Sequence, residues 1–352
     1  MRNISHILFI FLSLILISCS SSNDDSSPQL NDDVDVVNSL ELYISADEVT
    51  TGSTVLFTAF DNNGKNRTAE VKFYINDSEI PGSSHTFNDT GEFDIYAKYQ
   101  NIKSQTLQLI VNLPPIEYKK YVLVEDYTGT WCGYCTRVSF AIEEVKKQTD
   151  DAVIIAIHSG DEMQFSQVGT LINAFQYLQP GDGFGLPTAF IDRQVKWSYP
   201  EPSYITQVIS KLSRKSYAAL AMESSIDGQD LSVKVKLKIG YNYKSLKLGL
   251  YLLEDKLIYN QRNWTTYYQG DPIVNYEHND VLRASISGLL GDQIPPENLG
   301  HDKEFEKEFT FTIPNQYNKD NLKMIAFVTE GDKKEAINVR LSNIGEAQSF
   351  EK

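Results

Sequence analysis

The chain has 352 residues, which is long enough for two or three domains. Hydrophobic residues make up 41% of it and charged residues 22%, proportions that are typical of globular proteins and exclude a wholly disordered chain. The formal charge of −15 argues against nucleic acid as a partner, because an acidic surface repels phosphate.

The first residues have the features of an export signal. Arg2 supplies a positive charge, and residues 7–17 form an apolar run that is too short to span a bilayer, which needs ~20 residues. The segment Leu16–Cys19 resembles the lipobox of bacterial lipoproteins. This resemblance implies that residues 1–18 are removed and that Cys19 carries the lipid anchor. An ordinary signal peptide with a chance cysteine is the alternative.

Residues 19–39 are polar and acidic, so we expect a flexible stalk that cannot bury enough apolar surface to fold. Asp24 and Asp25, close behind Cys19, resemble the acidic tags that send some lipoproteins to the cell surface. A solvated linker without a sorting role is the alternative.

Residues 40–113 have the pattern of a small β-sandwich. Strand-like runs occur at residues 54–58, 71–75, 93–97 and 107–111, with turn residues between them. The segment Asp89–Ala97 resembles the penultimate strand of immunoglobulin-like modules. An immunoglobulin-like β-sandwich is therefore predicted.

Residues 116–215 alternate between strand and helix patterns, which predicts an α/β layer with parallel pairing. The predicted strands and helices, in chain order, are strand 121–125, helix 132–147, strand 152–157, helix 165–178, strand 188–191 and helix 204–212.

Residues 216–352 return to a period of two. Apolar residues alternate with serine or lysine through Leu231–Ile239, as in a half-buried strand. Further strands are predicted at residues 246–253, 305–313 and 322–328, which indicates a second, larger β-sandwich. The predicted fold is thus multidomain, with an α/β domain between two sandwiches.

The tract from Asn260 to Gly300 is long and rich in aromatic residues, among them Trp264, Tyr267, Tyr268 and Tyr276. Long loops are often functional, so this tract is a candidate contact surface. A loop that caps its own sandwich is the alternative.

The only other cysteines besides Cys19 are Cys132 and Cys135, and this spacing favours a redox dithiol. A structural disulfide would close too short a loop to stabilise the fold much, and a zinc site would lack a second cysteine pair. Both remain alternatives. At a helix N-terminus the thiol pKa of Cys132 would be lowered. Cys132 would then be the exposed nucleophile and Cys135 the buried resolving thiol.

The segment Val124–Cys135 resembles the active site of thioredoxin, with Trp131 before the first cysteine. The resemblance implies a thioredoxin-like domain at residues 116–215. It also implies that Asp126 exchanges a proton with the resolving thiol and that burial raises the pKa of Asp126. Glu125 would take this role if the pattern were shifted by one residue.

The segment Gly185–Ile191 resembles the thioredoxin loop that holds a cis-proline. By this resemblance Pro187 packs against the dithiol, and the backbone of Leu186 pairs with an extended substrate. A trans turn proline is the alternative.

Two other positions are candidate substrate contacts, together with Trp131 and Leu186. Tyr134 belongs to a Gly-Tyr dipeptide that disulfide isomerases of the bacterial envelope also carry, and this dipeptide tunes the redox potential. His158 follows a predicted strand at the end where active sites of open α/β sheets gather. It would stabilise the Cys132 thiolate or, alternatively, cap its loop.

The segments 125–132, 157–160 and 278–283 resemble the "outer membrane protein twenty-eight" family across residues 116–345. This resemblance implies an outer-membrane lipoprotein with a thioredoxin-like core, on the periplasmic face or the cell surface.

Together these features predict an envelope thiol–disulfide oxidoreductase, a reductase or isomerase of protein disulfides, without cofactor or metal. Its expected partners are envelope proteins with thiols or disulfides, a redox partner that supplies electrons, and the membrane through the lipid anchor. The alternative is a binding lipoprotein, an adhesin or receptor component, that uses the thioredoxin fold as a scaffold.

Overall fold

The computed structural model describes residues 36–179, 181, 183–331 and 334–352. Of these residues, 46% lie in strands and 12% in helices. The signal segment, Cys19 and residues 19–35 of the predicted stalk lie outside the described residues. Within the described ranges, no helix is both long enough and apolar enough to cross a membrane.

Two sheets form the N-terminal part of the molecule, and their facing sides enclose one apolar core that includes Leu42, Phe57 and Phe73. Burial alternates along the strands, as expected when one face of a sheet is covered. The predicted β-sandwich character of this part agrees with the structure. The first sheet has the order β1–β3–β6 and the second β2–β9–β7–β4–β5, with β8 beside β7. Their bounds are β1 Leu40–Ile44, β2 Glu48–Thr50, β3 Ser53–Asp61, β4 Lys72–Ile75, β5 Ser78–Ile80, β6 Ser84–Phe87, β7 Gly91–Tyr99, β8 Ile102–Lys103 and β9 Leu107–Asn112.

The central part of the chain contains the three α-helices of the described residues. Its elements are β10 Tyr118–Lys119, β11 Val122–Thr128, α1 Thr136–Lys146, β12 Ala152–His158, α2 Val168–Phe175, β13 Thr188–Ile191, β14 Val195–Lys196, α3 Thr206–Leu212 and β15 Lys215–Ser216. The C-terminal part consists of strands: β16 Ala218–Asp227, β17 Asp230–Ile239, β18 Leu246–Glu254, β19 Leu257–Gln261, β20 Ile273–His278, β21 Val281–Ser285, β22 Asp292–Gln293, β23 Glu304–Thr312, β24 Leu322–Glu330 and β25 Ala336–Asn343.

A nine-stranded sheet runs through both of these parts, in the order β14–β13–β11–β12–β21–β18–β24–β25, with β22 beside β18. Strands β11 and β12 are parallel and buried along their whole length. Helices α1 and α3 pack on one face of this pair and α2 on the other, which explains the continuous apolar runs. A second sheet, β16–β17–β23, packs on the C-terminal strands over a separate core.

The predicted fold class is wrong. The structure is mainly β, and residues 116–215 do not form an α/β thioredoxin-like domain, because their strands belong to a sheet that continues into β21, β18, β24 and β25. Ala156 of β12 pairs directly with Val281 of β21. The β-sandwich character predicted for the C-terminal part fits the structure, because the sheet β16–β17–β23 packs there on strands of the nine-stranded sheet. Local periodicity identified the strands, but it contains no information on which distant strand lies beside β12.

Several predicted element bounds also change, and one change affects the dithiol. The helix predicted from residue 132 begins at Thr136. Before it the chain makes two turns, in which the Cys132 amide donates to Gly129 and the Cys135 amide donates to Cys132. Cys132 therefore precedes the helix instead of starting it.

Candidate functional site

Three loops leave the nine-stranded sheet on one side, at the ends of neighbouring strands. Thr128 at the end of β11 is paired with His158 at the end of β12, and Tyr127 is paired with Thr188 at the start of β13. Three loops therefore meet at these strand ends: the dithiol loop, the loop after His158 and the loop that contains Pro187. The Leu186–Pro187 peptide bond is cis, and Leu186 is half-buried against the core.

Cys132 and Cys135 form a disulfide. Their side chains are only 5% and 1% exposed, so the expectation of an exposed Cys132 is wrong. Cys132 is nevertheless the more accessible of the two. In this state neither sulfur is a thiolate, and within the described ranges no cluster of His, Cys, Asp or Glu could hold a metal ion.

Cys132 is covered by a segment that lies more than a hundred residues along the chain, the β19–β20 hairpin. The Gln261 side chain donates to the Cys132 carbonyl at 3.1 Å. The backbone amide of Arg262 donates to Thr130, and that of Trp264 to Gly133, each at 2.8 Å. The hairpin therefore fixes the dithiol loop through main-chain contacts that the sequence patterns did not reveal.

The aromatic tract packs on the dithiol loop and on α1, so it does not simply cap its own sandwich. Tyr267 stacks on Phe140 of α1 with ring centres 4.6 Å apart, and Trp264 contacts Tyr134 edge to face at 5.4 Å. A Cβ atom at Gly133 would lie 2.3 Å from the Trp264 ring, so only glycine fits there.

An exposed aromatic surface surrounds the disulfide; we call Trp131, Tyr134, Trp264 and Tyr267 the aromatic rim. Their exposed fractions are 53%, 52%, 56% and 37%, respectively. Trp131 is held in place because its indole nitrogen donates to the carbonyl of Ser159 at 2.8 Å. The rim thus offers a rigid apolar surface next to the cysteines.

His158 is buried and contacts a carboxylate, not the cysteines. Its Nδ1 lies 2.7 Å from Asp161, which also accepts the backbone amide of Thr130 at 2.8 Å. Burial acts to raise the pKa of Asp161, but the hydrogen bond with His158 contributes to a net lowering of that pKa. These contacts agree with the loop-capping interpretation of His158.

Asp126 and Glu125 point to opposite faces of the sheet. Glu125 is fully buried and pairs with Arg193 at 2.7 Å. Asp126 is 3% exposed, and within the part of the chain that the structure describes its Oδ1 has no hydrogen-bond partner. Burial, reinforced by the charge of Glu201, raises the pKa of Asp126 well above its usual range, against the opposing charge of Arg137. The structure therefore selects Asp126 as the carboxyl on the α1 side.

The segment 278–283 joins the C-terminal strands to the dithiol-bearing elements. The buried carboxylate of Asp280 pairs with Lys146 at the end of α1 and with Lys323 on β24. Its backbone carbonyl accepts the amide of Ala156 at 2.8 Å. In the sequence, only a family resemblance pointed to residues 278–283. The contacts of Asp280 show that this segment links the C-terminal strands to α1 and β12.

Part of the chain is similar to a known protein family. The sequence model described as outer membrane protein Omp28 matches residues 176–348, slightly less than half of the chain. The Omp28 match associates the protein with the outer membrane, but it begins after Cys135 and does not include the dithiol.

Among solved structures, HBP35 of Porphyromonas gingivalis is similar in fold, with a TM-score of 0.53, 20% identity and coverage of 66% of this chain and 77% of that one. A domain of the outer membrane lipoprotein Omp28 from Porphyromonas gingivalis has 21% identity over 38% of this chain and 92% of its own, with a TM-score of 0.26. A protein from Agrobacterium tumefaciens has 9% identity, a TM-score of 0.41 and coverage of 66% and 97%. No curated protein sequence matches the chain.

Proposed function

We propose that this protein is an outer-membrane lipoprotein, anchored through Cys19, that exchanges thiols and disulfides with envelope proteins at Cys132 and Cys135. The observation that carries the proposal is the combination of a disulfide with a buried, unpartnered carboxyl of raised pKa on the α1 side of β11. A purely structural disulfide has no need of a buried acid, which costs folding free energy when it ionises.

The proposed reaction starts from the reduced dithiol. The Cys132 thiolate attacks one sulfur of a substrate disulfide, forms a mixed disulfide and releases one substrate thiolate. Asp126 first loses its own proton to the solvent; Cys135 then gives its proton to the resulting Asp126 carboxylate and attacks the Cys132 sulfur, which releases the second substrate thiolate. The substrate gains two electrons and the dithiol loses two. A reduced thiol of an envelope redox partner must return them for turnover.

The aromatic rim and the Leu186–Pro187 loop are the proposed substrate contacts. Both lie at the strand ends where the dithiol loop leaves β11. Exposed Trp and Tyr side chains bury large areas with little loss of conformational entropy, so they suit a polypeptide partner. The Leu186 backbone would pair with an extended substrate segment.

The test is a trapping experiment in the native envelope. Cys135→Ser removes the resolving thiol, so mixed disulfides through Cys132 should accumulate as higher-mass adducts that reductant removes. Cys132→Ser is the matched control and should form none, because Cys135 is almost fully covered. Absence of adducts from Cys135→Ser, with the protein folded and in the membrane, would refute the proposal.

The second candidate is a binding lipoprotein that uses the aromatic rim without exchange chemistry. The Omp28 match concerns an outer-membrane protein family and favours this candidate more than the first, whereas the dithiol and Asp126 favour exchange. If Cys132→Ser retains binding to an envelope or external partner while Trp264→Ala loses it, the second candidate is the better account.

A further inference from the structure

A pocket of about 120 Å³ lies between α1 and the β19–β20 hairpin. Its inner wall includes Asp126 and His158 from the paired strands β11 and β12, and Tyr276 and His278 from β20. Exposed residues, among them Glu277, line the same pocket. The pocket therefore joins the buried carboxyl of the candidate site to the solvent.

Two buried polar atoms in this pocket have no hydrogen-bond partner among the residues that the structure describes. They are Oδ1 of Asp126 and Nε2 of His278, on side chains of residues that are 3% and 6% exposed. The backbone of Tyr259 acts to raise the pKa of the His278 ring, and Nε2 of this ring has no partner among the described residues, so we assign the ring proton to Nδ1. A neutral imidazole that donates through Nδ1 presents a lone pair at Nε2.

The protonation states of the two groups are complementary. Burial raises the pKa of Asp126 well above its usual range, which favours the protonated carboxyl as a donor. Burial, together with the neighbouring His158, lowers the pKa of His278 to about 4, so its imidazole is neutral there. One group can donate and the other accept. The pocket is polar and large enough for water molecules to link the two.

We infer that this pocket carries protons between Asp126 and the solvent, with Nε2 of His278 as the accepting and releasing group. The inference rests on the proposed exchange function and adds a residue to it. Water in the pocket passes the proton of Asp126 to His278, which releases it at the exposed end, and the resulting Asp126 carboxylate then accepts the proton of Cys135. His278 acts through Asp126 and does not touch the sulfur atoms, so it is a positioning and relay residue.

Other titratable groups face the same pocket and share its electrostatic field. They are His158, Glu143, Lys146, Tyr276, Glu277 and Asp280. Lys146 and Asp280 are paired with each other, and His158 is paired with Asp161. Of the described residues that line the pocket, His278 is therefore the neutral base whose acceptor atom has no partner in the described chain.

The test separates the two chemical steps of the exchange. Reduced full-length protein is mixed rapidly with glutathione disulfide, and mass spectrometry follows formation of the mixed disulfide and then ring closure by Cys135. His278→Gln cannot take up the proton, so closure at pH 7 should slow at least about tenfold, within the range of general acid–base effects. Formation of the mixed disulfide by Cys132 should not change. At pH 9, where hydroxide removes the proton directly, the two proteins should converge.

The matched control is His85→Gln, a half-buried histidine of the N-terminal sandwich, which should close at the wild-type rate. Imidazole added to His278→Ala should restore closure, which a merely structural role would not predict. Closure of His278→Gln at the wild-type rate and pH profile would overturn the inference and leave the exchange function intact. Failure of the wild-type protein to form any mixed disulfide would instead refute the exchange function.

A second measurement does not require a variant. Nitrogen-15 NMR of the wild-type imidazole rings at pH 7 should show His278 protonated on Nδ1 and bare on Nε2. A proton on Nε2 would block its acceptor role and overturn the inference.

Discussion

Adjacent acidic residues of β11 have opposite environments because successive side chains of a strand point to opposite faces. Glu125 faces the side on which α2 packs and is neutralised by Arg193, which lies 4.4 Å from the centre of the Phe327 ring. Asp126 faces the α1 side and has no ion-pair partner among the described residues, and burial raises its pKa well above the usual range. Glu125 and Asp126 therefore could not exchange their roles unless the residues around them were changed as well.

Replacement of Asp126 by Asn should make stability less dependent on pH. The pKa of Asp126 is higher in the folded protein than in the unfolded chain. Protonated Asp126 therefore contributes its full stability below the unfolded-state pKa, and this contribution is lost as the pH rises through the folded-state pKa. Asn cannot ionise. We expect the stability of the oxidised variant relative to wild type to increase from pH 5 to pH 8, because only the wild-type side chain can lose a proton. Urea unfolding at both pH values measures this gain; a difference independent of pH would contradict it.

At the scale of elements, the junction between β12 and β21 determines the architecture. Only one register pair, Ala156 with Val281, joins the two strands. Asp280 strengthens the junction through Lys146 and Lys323, and its amide donates to Asp255 at 2.7 Å. A short strand contact is thus supplemented by a buried charge network that also anchors the end of α1.

Asp280→Asn should therefore destabilise the protein. Burial acts to raise the pKa of Asp280, but Lys146 and Lys323 hold the pKa below its usual range. The carboxylate contributes stability above the unfolded pKa, and this contribution disappears as the pH falls. At pH 7 we expect a loss of about 3 kcal/mol, as when one partner of a buried ion pair is removed.

Denaturant unfolding measures this loss, and Glu79→Gln is the matched control. Glu79 pairs with Lys72 at 3.0 Å on the exposed surface of the N-terminal sandwich, so its removal should have no measurable effect. Equal effects of Asp280→Asn and Glu79→Gln would show that the buried network does not hold the junction.

At the scale of the whole molecule, the N-terminal sandwich meets the larger body through polar contacts. The amide of Ile116 donates to Gly240, and Asn242 bonds to Asn112, each at 2.8 Å. Tyr241 adds a contact to Glu48 at 3.2 Å. In the proposed lipoprotein, this sandwich lies between the anchor and the dithiol-bearing body, because it follows the anchor in the chain.

Membrane attachment should depend on Cys19. Cys19→Ala should lose lipid and leave the membrane fraction, because the proposed anchor is the acylated cysteine. Ser20→Ala is the matched control and should remain bound. Incorporation of radiolabelled palmitate, followed by fractionation, measures both variants. Retention of Cys19→Ala in the membrane would contradict the lipoprotein proposal.

The sequence alone located most strands, the candidate dithiol and the acid that faces α1. Buried strands such as Ala152–His158 and half-buried strands such as Asp230–Ile239 have distinct burial patterns that local sequence can reveal. The resemblance to the thioredoxin segment favoured Asp126 over Glu125, and a shift of one residue changes the face of a strand.

Tertiary structure decided what lies beside and above these elements. The partner of β12, the cover over Cys132 and the position of His278 all depend on β19–β21, far along the chain. Local periodicity reports which face of an element is apolar, but many distant segments can satisfy the same face. Which of them packs there is selected by the free energy of the whole sheet, including the buried charges of Asp280 and Lys323, and no short segment contains that information.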